Sequence, residues 1–255
     1  MSGHVDVLPD KQAQVWACLA GVTDPELDES VTELKFVTNA DVDADNRVHI
    51  GFRLPTYWCA ANFSFLMADD MRRAVGVLDW VSGVNVTLGE HMYADKINAG
   101  LAQGLSFEET FGAEADGNLD ELRQTFLVKA FQRRQVALLT YLTAAGHLPE
   151  AIITLTLSDL ECLPLDVEGE KLVQRYFERR HVVGPIRPDV LAFITAEGAG
   201  LKAESFATYC TGLRRVNVNA EFNGALCRGL LSVRFDLDTP FVPKSQVSAN
   251  SPTAT

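Results

Sequence analysis

The chain has no apolar run approaching the roughly 20 residues that a membrane-spanning helix needs, so no membrane role is expected of it. It also has no Cys-x-x-Cys pair. Its five cysteines stand at 18, 59, 162, 210 and 227 without regular spacing, and neither a zinc ribbon nor a disulfide framework is written into such a pattern. The opening Met1-Ser2-Gly3-His4-Val5-Asp6 lacks the basic and apolar segments of a secretory leader, and a reducing cytoplasm is the expected location. Positive charge is scarce: 22 Lys and Arg face 34 Asp and Glu, for a net charge of −12. A phosphate-binding surface needs clustered cations that displace counterions, so nucleic acid is not an expected partner. Protein or metal is.

What is present is enough apolar side chain, 47% of residues, to bury a core. The charge divides unevenly. Residues 1–112 hold 17 acidic and 7 basic residues, whereas residues 113–255 hold 17 and 15. Two regions of different character are therefore expected, meeting in the polar, glycine-flanked stretch Gly112 to Asn118. The expected layout is a small domain over 1–112, a helical region over 119–238, and a disordered tail over 239–255, where three prolines stand among Ser, Thr, Ala and Asn.

Periodicity gives the first region the order helix, strand, strand, helix, strand. Val15, Trp16 and Leu19 mark a helix over 11–19 that stops at Gly21. Val31, Leu34, Phe36 and Val37 predict a first strand, and Val48, Ile50, Phe52 and Leu54 alternate as a second, with Asp43 to Asn46 as the turn between them. Phe63, Leu66, Met67, Met71, Val75 and Leu78 recur at helical intervals, and Val84 to Leu88 alternates as a third strand. Beyond Leu119 the periods are helical: a long helix to Gly146, then helices over 168–180, 189–195 and 204–213, with 229–236 as a last strand or helix. Tyr209, Leu213, Phe222 and Leu226 are expected to serve as core. The fold class expected is α+β, an αββαβ domain followed by a mainly helical region.

One loop reads as a chemical site. Pro55-Thr56-Tyr57-Trp58-Cys59-Ala60-Ala61-Asn62 leads from the second strand into a helix, and a thiol there faces orphan backbone N–H groups and the positive end of the helix dipole. As a nucleophile Cys59 would need a base, with His49 and His91 as the candidates; strand alternation makes His49 a solvated residue. As a metal ligand one thiolate is too few for a zinc or iron–sulfur site, which ordinarily takes four ligands. Asp24 and Glu26 in the acidic turn are hard oxygen donors that suit iron, and Thr56 can share a hydrogen bond with a thiol three positions on. Asp24 can equally be a turn cap beside Pro25. The other four cysteines are expected to be packing or surface thiols.

The Asp24-Pro25-Glu26 turn, the strand hairpin and the Thr56-to-Cys59 loop, in this order, resemble the small iron–sulfur cluster assembly domain of the SufT and PaaD type. The resemblance covers about residues 9 to 112, including Ala94 to Leu105, which is similar to the short helix and turn that close such domains. It implies that Cys59, Asp24 and Glu26 form the metal or reactive-thiol site, with Thr56 and Pro25 in support. A large helical region after such a domain is similar to accessory proteins of bacterial multicomponent di-iron monooxygenases, which oxidise propane, phenol and similar substrates. The function implied is assembly or maturation of an iron enzyme, a non-enzymatic role. Iron or an iron–sulfur cluster would be a transient cargo, a hydroxylase subunit the protein client, and a homodimer an allowed assembly. Two other readings stand beside it: a thiol-dependent enzyme or sulfur and redox module using Cys59, and a regulatory or interaction subunit that keeps only the fold.

Overall fold

The computed structural model describes residues 10–115 and 118–235, with the side chains of 216–221 excepted. The expected disordered tail at 239–255 and the middle of the expected linker lie outside the described residues. The fold is α+β, as the periodicity predicts, and it divides into two compact units. Residues up to Leu119 together with those from Asn223 onward form the first, and Asp120–Phe222 form the second.

In the first unit α1 (Lys11–Ala20) buries Val15 and Leu19 completely, one helical turn apart, and stops at Gly21, whose N–H returns to the Cys18 carbonyl at 3.1 Å. The expected strand at 31–37 is where the structure differs. Val31, Leu34 and Phe36 are buried, but 31–35 is turn backbone: the N–H of Leu34 bonds the Ser30 carbonyl, and Lys35 sits at φ +58°. Apolar residues three apart had the spacing of a turn rather than the period of two that a pleated strand needs. The first strand is thus β1 (Val37–Val42).

β1 pairs antiparallel with β2 (Arg47–Phe52), Val42 opposite Val48 and Val37 opposite Phe52. The hairpin between them is built by one carboxylate: Asp43 Oδ1 accepts from the N–H groups of Asp45 and Arg47, each at 2.9 Å, while Asn46 takes φ +60°. Val48, Ile50 and Phe52 alternate into the core, and His49 points the other way, its Nε2 3.0 Å from an Asp43 carboxylate oxygen. β3 (Gly83–Leu88) then pairs parallel with β2, giving the sheet order β1-β2-β3. A parallel neighbour needs a crossover, and α2 (Ala61–Gly76) is that crossover. It buries Phe65, Leu66, Met67, Met71 and Val75. α3 (Ala94–Ala102) is tied to the end of β3 by Asn98, whose amide bonds both the N–H and the carbonyl of Leu88, at 2.8 and 3.0 Å. α4 (Phe107–Phe111) follows, opened by a capping box of Ser106 and Glu109.

The second unit packs α5 (Leu119–Ala144), the short α6 (Pro149–Ile152) and α7 (Leu157–Glu161), α8 (Val167–Arg180) and the first part of α9 (Phe206–Arg234). Phe131, Leu138, Leu139, Leu142, Tyr176 and Phe193 are central to its core. The helix expected at 189–195 is not formed. This segment is a run of turn and bend backbone with isolated bridges Thr156–Leu191 and Ile194–Gly200, and its carbonyls are taken from the side: Ala192 O accepts from the Tyr176 hydroxyl at 2.6 Å and from Arg180 Nε at 3.0 Å.

The compact units do not follow the ranges read from the sequence. The helix over 204–213 extends unbroken to Arg234, so 229–236 is helical as far as that residue, and its last turns belong to the first unit. Asn223 donates to Glu26 at 2.9 Å, Arg228 pairs with Glu29 at 2.6 Å, and Arg234 donates to the Leu54 carbonyl at 3.2 Å and to the Glu90 carbonyl at 2.9 Å. On this helix Leu213 and Leu231 are buried, whereas Phe222 and Leu226, expected in the core, are 68% and 50% exposed.

Candidate functional site

Three pieces of the first unit define the surroundings of Cys59: the loop after β2, the acidic turn after α1, and the segment after β3. The thiol lies 3.1 Å from Thr56 Oγ1, and either group can donate. α2 begins at Ala61 with Ala60 as its N-cap, so Cys59 sits one residue ahead of the cap, and Ala60 offers no side-chain cap of its own. The side chain of Asn62 takes the N–H of Phe63 at 2.8 Å. Ala61 and Asn62 also line a shallow pocket with Tyr93, Phe107, Phe111 and Glu114.

The loop is pinned by His91. Its Nδ1 accepts from the N–H of Tyr93 at 3.1 Å, which places the ring proton on Nε2, and Nε2 donates to the Cys59 carbonyl at 2.8 Å. The ring is 4% exposed. Burial, and secondarily the charge of Arg234, hold its pKa below the usual histidine value, against the opposing pull of the Cys59 carbonyl. Protonation would also set Nδ1–H against Tyr93 N–H. His91 is therefore a neutral clamp on the cysteine's backbone, aimed at the carbonyl and not at sulfur. His49, the other candidate base, spends its Nε2 on Asp43. Neither histidine is placed as the partner of a nucleophilic thiol.

The acidic turn is shaped by its own first residue. Asp24 Oδ1 accepts from the N–H groups of Glu26 and Leu27 at 2.9 and 2.8 Å, with Pro25 between, and Asp28 closes the turn at φ +52° through its N–H to the Asp24 carbonyl at 2.9 Å. Glu26 receives the amide of Asn223 and Glu29 the guanidinium of Arg228. Both carboxylates expected as iron donors thus have roles in the local structure. Among the described residues no group of three or more His, Cys, Asp or Glu side chains is arranged to hold a metal ion.

Beside the thiol, Tyr57 and Trp58 are 51% and 72% exposed, and the Tyr57 carbonyl accepts from the N–H of Met92 at 2.8 Å. An exposed indole next to a half-buried thiol is a contact surface more than a core. Sequence reasoning did not find Cys227. It stands on α9 within the first unit, and its thiol is pushed up to about 12 by burial first and then by the charges of Asp24, Cys59 and Glu26, with Arg228 opposing. A helix-face pattern of Asn223, Cys227 and Leu231 at four-residue spacing was the available signal, but nothing in it names the turn it covers.

Residues 12–88 match the model of a protein family described as iron–sulfur cluster assembly protein. The match runs from α1 through β3 and includes Asp24, Pro25, Glu26, Thr56 and Cys59, while α3 onward lies beyond it. No curated protein matches the chain.

Proposed function

We propose that this chain is an accessory protein of metallocentre assembly that presents Cys59 to iron, or to an iron–sulfur cluster, in transit to an iron enzyme. The observation that carries the reading is that the segment matched to the assembly family holds the Cys59 loop, a thiol with a hydroxyl partner and a clamped backbone. Neutral His91 engages the carbonyl, which suits a ligand held in place better than a nucleophile awaiting a base. One thiol leaves coordination positions open, and an open site can pass its cargo on. Trp58 and Tyr57 beside it offer a client surface where the exchange takes place.

The finer reading is that the client is the hydroxylase subunit of a bacterial multicomponent di-iron monooxygenase and that residues 119–238 hold it, alone or as a homodimer, in the cytoplasm. Its support is the architecture: a helical unit larger than the matched segment, with none of the helices among the described residues long and apolar enough to cross a membrane. A carboxylate-rich helical hydroxylase has an apo-site that a holder would keep open while iron enters. The test of the cargo role is anaerobic reconstitution of the full chain with ferrous iron and sulfide. Iron retained after desalting by the native chain and lost in Cys59→Ser is the expected result. Equal retention by both, or none by either, contradicts it.

A further inference from the structure

The two faces of α9 over its last turns have different roles. One face serves the first unit: Asn223 reaches Glu26, Arg228 reaches Glu29, Arg234 holds the carbonyls of Leu54 and Glu90, and Leu231 is buried. The other carries Phe222, Leu226, Leu230 and Val233, which are 68%, 50%, 39% and 85% exposed. Steps of four, four and three residues put all four on one side of the helix, away from Leu231. Single exposed apolar residues are ordinary on a protein surface, but four in line along one helix make a contact face. The charged side chains between 222 and 234 are Arg228 and Arg234, and both are turned to partners in the first unit. The exposed stripe is therefore uncharged, in a chain of net charge −12.

We propose that this stripe is a self-association surface, the α9 face of one copy of the chain packing on the α9 face of a second copy about a two-fold axis. The proposal does not depend on the assembly reading, and it assigns a homodimer to particular residues outside the matched segment. Shape is the first argument. Leu226 and Leu230, one helical turn apart, form a ridge; half-buried Ala225 and Gly229, each one residue earlier, form a groove of the same pitch beside it. A two-fold axis lets each copy lay its ridge in the other's groove, so the face is complementary to itself. Gly229 costs the helix propensity relative to alanine, and the close approach it permits offsets that cost. Charge is the second argument. A client selected by charge finds nothing to pair with on this stripe, whereas two copies of an acidic chain repel elsewhere and meet at least cost through an uncharged face.

Sedimentation equilibrium of the native full-length chain tests the pairing. The expected mass is twice that of the chain, falling to the single mass on dilution. Leu226→Glu and Leu230→Glu change exposed positions, so each is expected to keep the native circular dichroism and to lose the dimer. Val77→Glu, at a position 74% exposed elsewhere on the first unit, is expected to keep it. An equimolar mixture of Leu226→Glu and Leu226→Lys chains is expected to regain the doubled mass, because the two-fold axis brings the two stripes together. A native chain that is monomeric at every concentration, a dimer that survives both glutamate variants, or a mixture that stays monomeric overturns the proposal. A monomeric native chain that loses a co-purified client in Leu226→Glu also overturns it, and gives the stripe to that client. Iron retention that depends on Cys59 in a monomeric chain leaves the assembly reading standing, so the two are separable.

Discussion

At the scale of residues, the Cys59 loop is held by a histidine whose Nε2 meets the cysteine's carbonyl. Because its folded pKa is depressed, His91 resists protonation in the native protein while the unfolded chain takes up a proton near pH 6.5. The unfolded state therefore binds more protons below that pH: the contribution of His91 is fully present above it and is lost as pH falls through the window beneath. Thermal unfolding at pH 7.5 and pH 5.5 is expected to show a larger drop for the native protein than for His91→Gln, which keeps a donor for the Cys59 carbonyl and does not titrate. His91→Ala, by leaving that carbonyl and the Tyr93 N–H without partners, is expected to cost about 1–3 kcal/mol in denaturant unfolding. The thiols are also separable. Cys162 is exposed, Cys59 half-buried, Cys210 buried, and Cys227 is pushed up to about 12. Since the thiolate is the reacting species, iodoacetamide at neutral pH is expected to label Cys162 before Cys227 and Cys210; early loss of Cys227 would contradict the burial described.

At the scale of elements, what the sequence made legible follows from how local each signal is. The β2 alternation, the Asp43 hairpin, the α2 stripe and the β3 alternation all rest on contacts or periods within a few residues, and all appear. The segment 31–36 misled because burial is shared by turns and strands; Lys35 at positive φ, a conformation its side chain disfavours, carries no mark in composition. The segment 189–195 misled because its apolar residues are buried by side chains from α8 that bond its carbonyls, a long-range arrangement. The end of α9 carries no local sign of its place in the first unit, since its partners, Glu26 and Glu29, lie almost two hundred positions earlier. Of the candidate site, Cys59 and Thr56 were found together and Asp24 was seen both as donor and as cap; the packed Cys227 and the direction of His91 needed the fold. The α9 contact has a measurable strength. Leu231→Ala, at 3% exposure, is expected to destabilise the first unit by about 2–4 kcal/mol. Arg228→Ala, removing a partly exposed ion pair, is expected to cost about 1 kcal/mol or less.

At the scale of the whole molecule, the family match covers residues 12–88, yet the unit that contains it also draws on residues 223–235 from beyond the helical region. A chain cut at residue 118 would lose the partners of Glu26, Glu29 and Leu54, and it is expected to melt at lower temperature than the same unit in the full chain, a difference readable by calorimetry. The acidic turn of the matched segment is thus held by residues far along the chain from it. The most direct measurement is the iron occupancy of a co-expressed di-iron hydroxylase, purified from cells making the full chain, the Cys59→Ser variant, or neither. High occupancy with the full chain alone is the predicted result; equal occupancy in all three would contradict a role in metallocentre assembly.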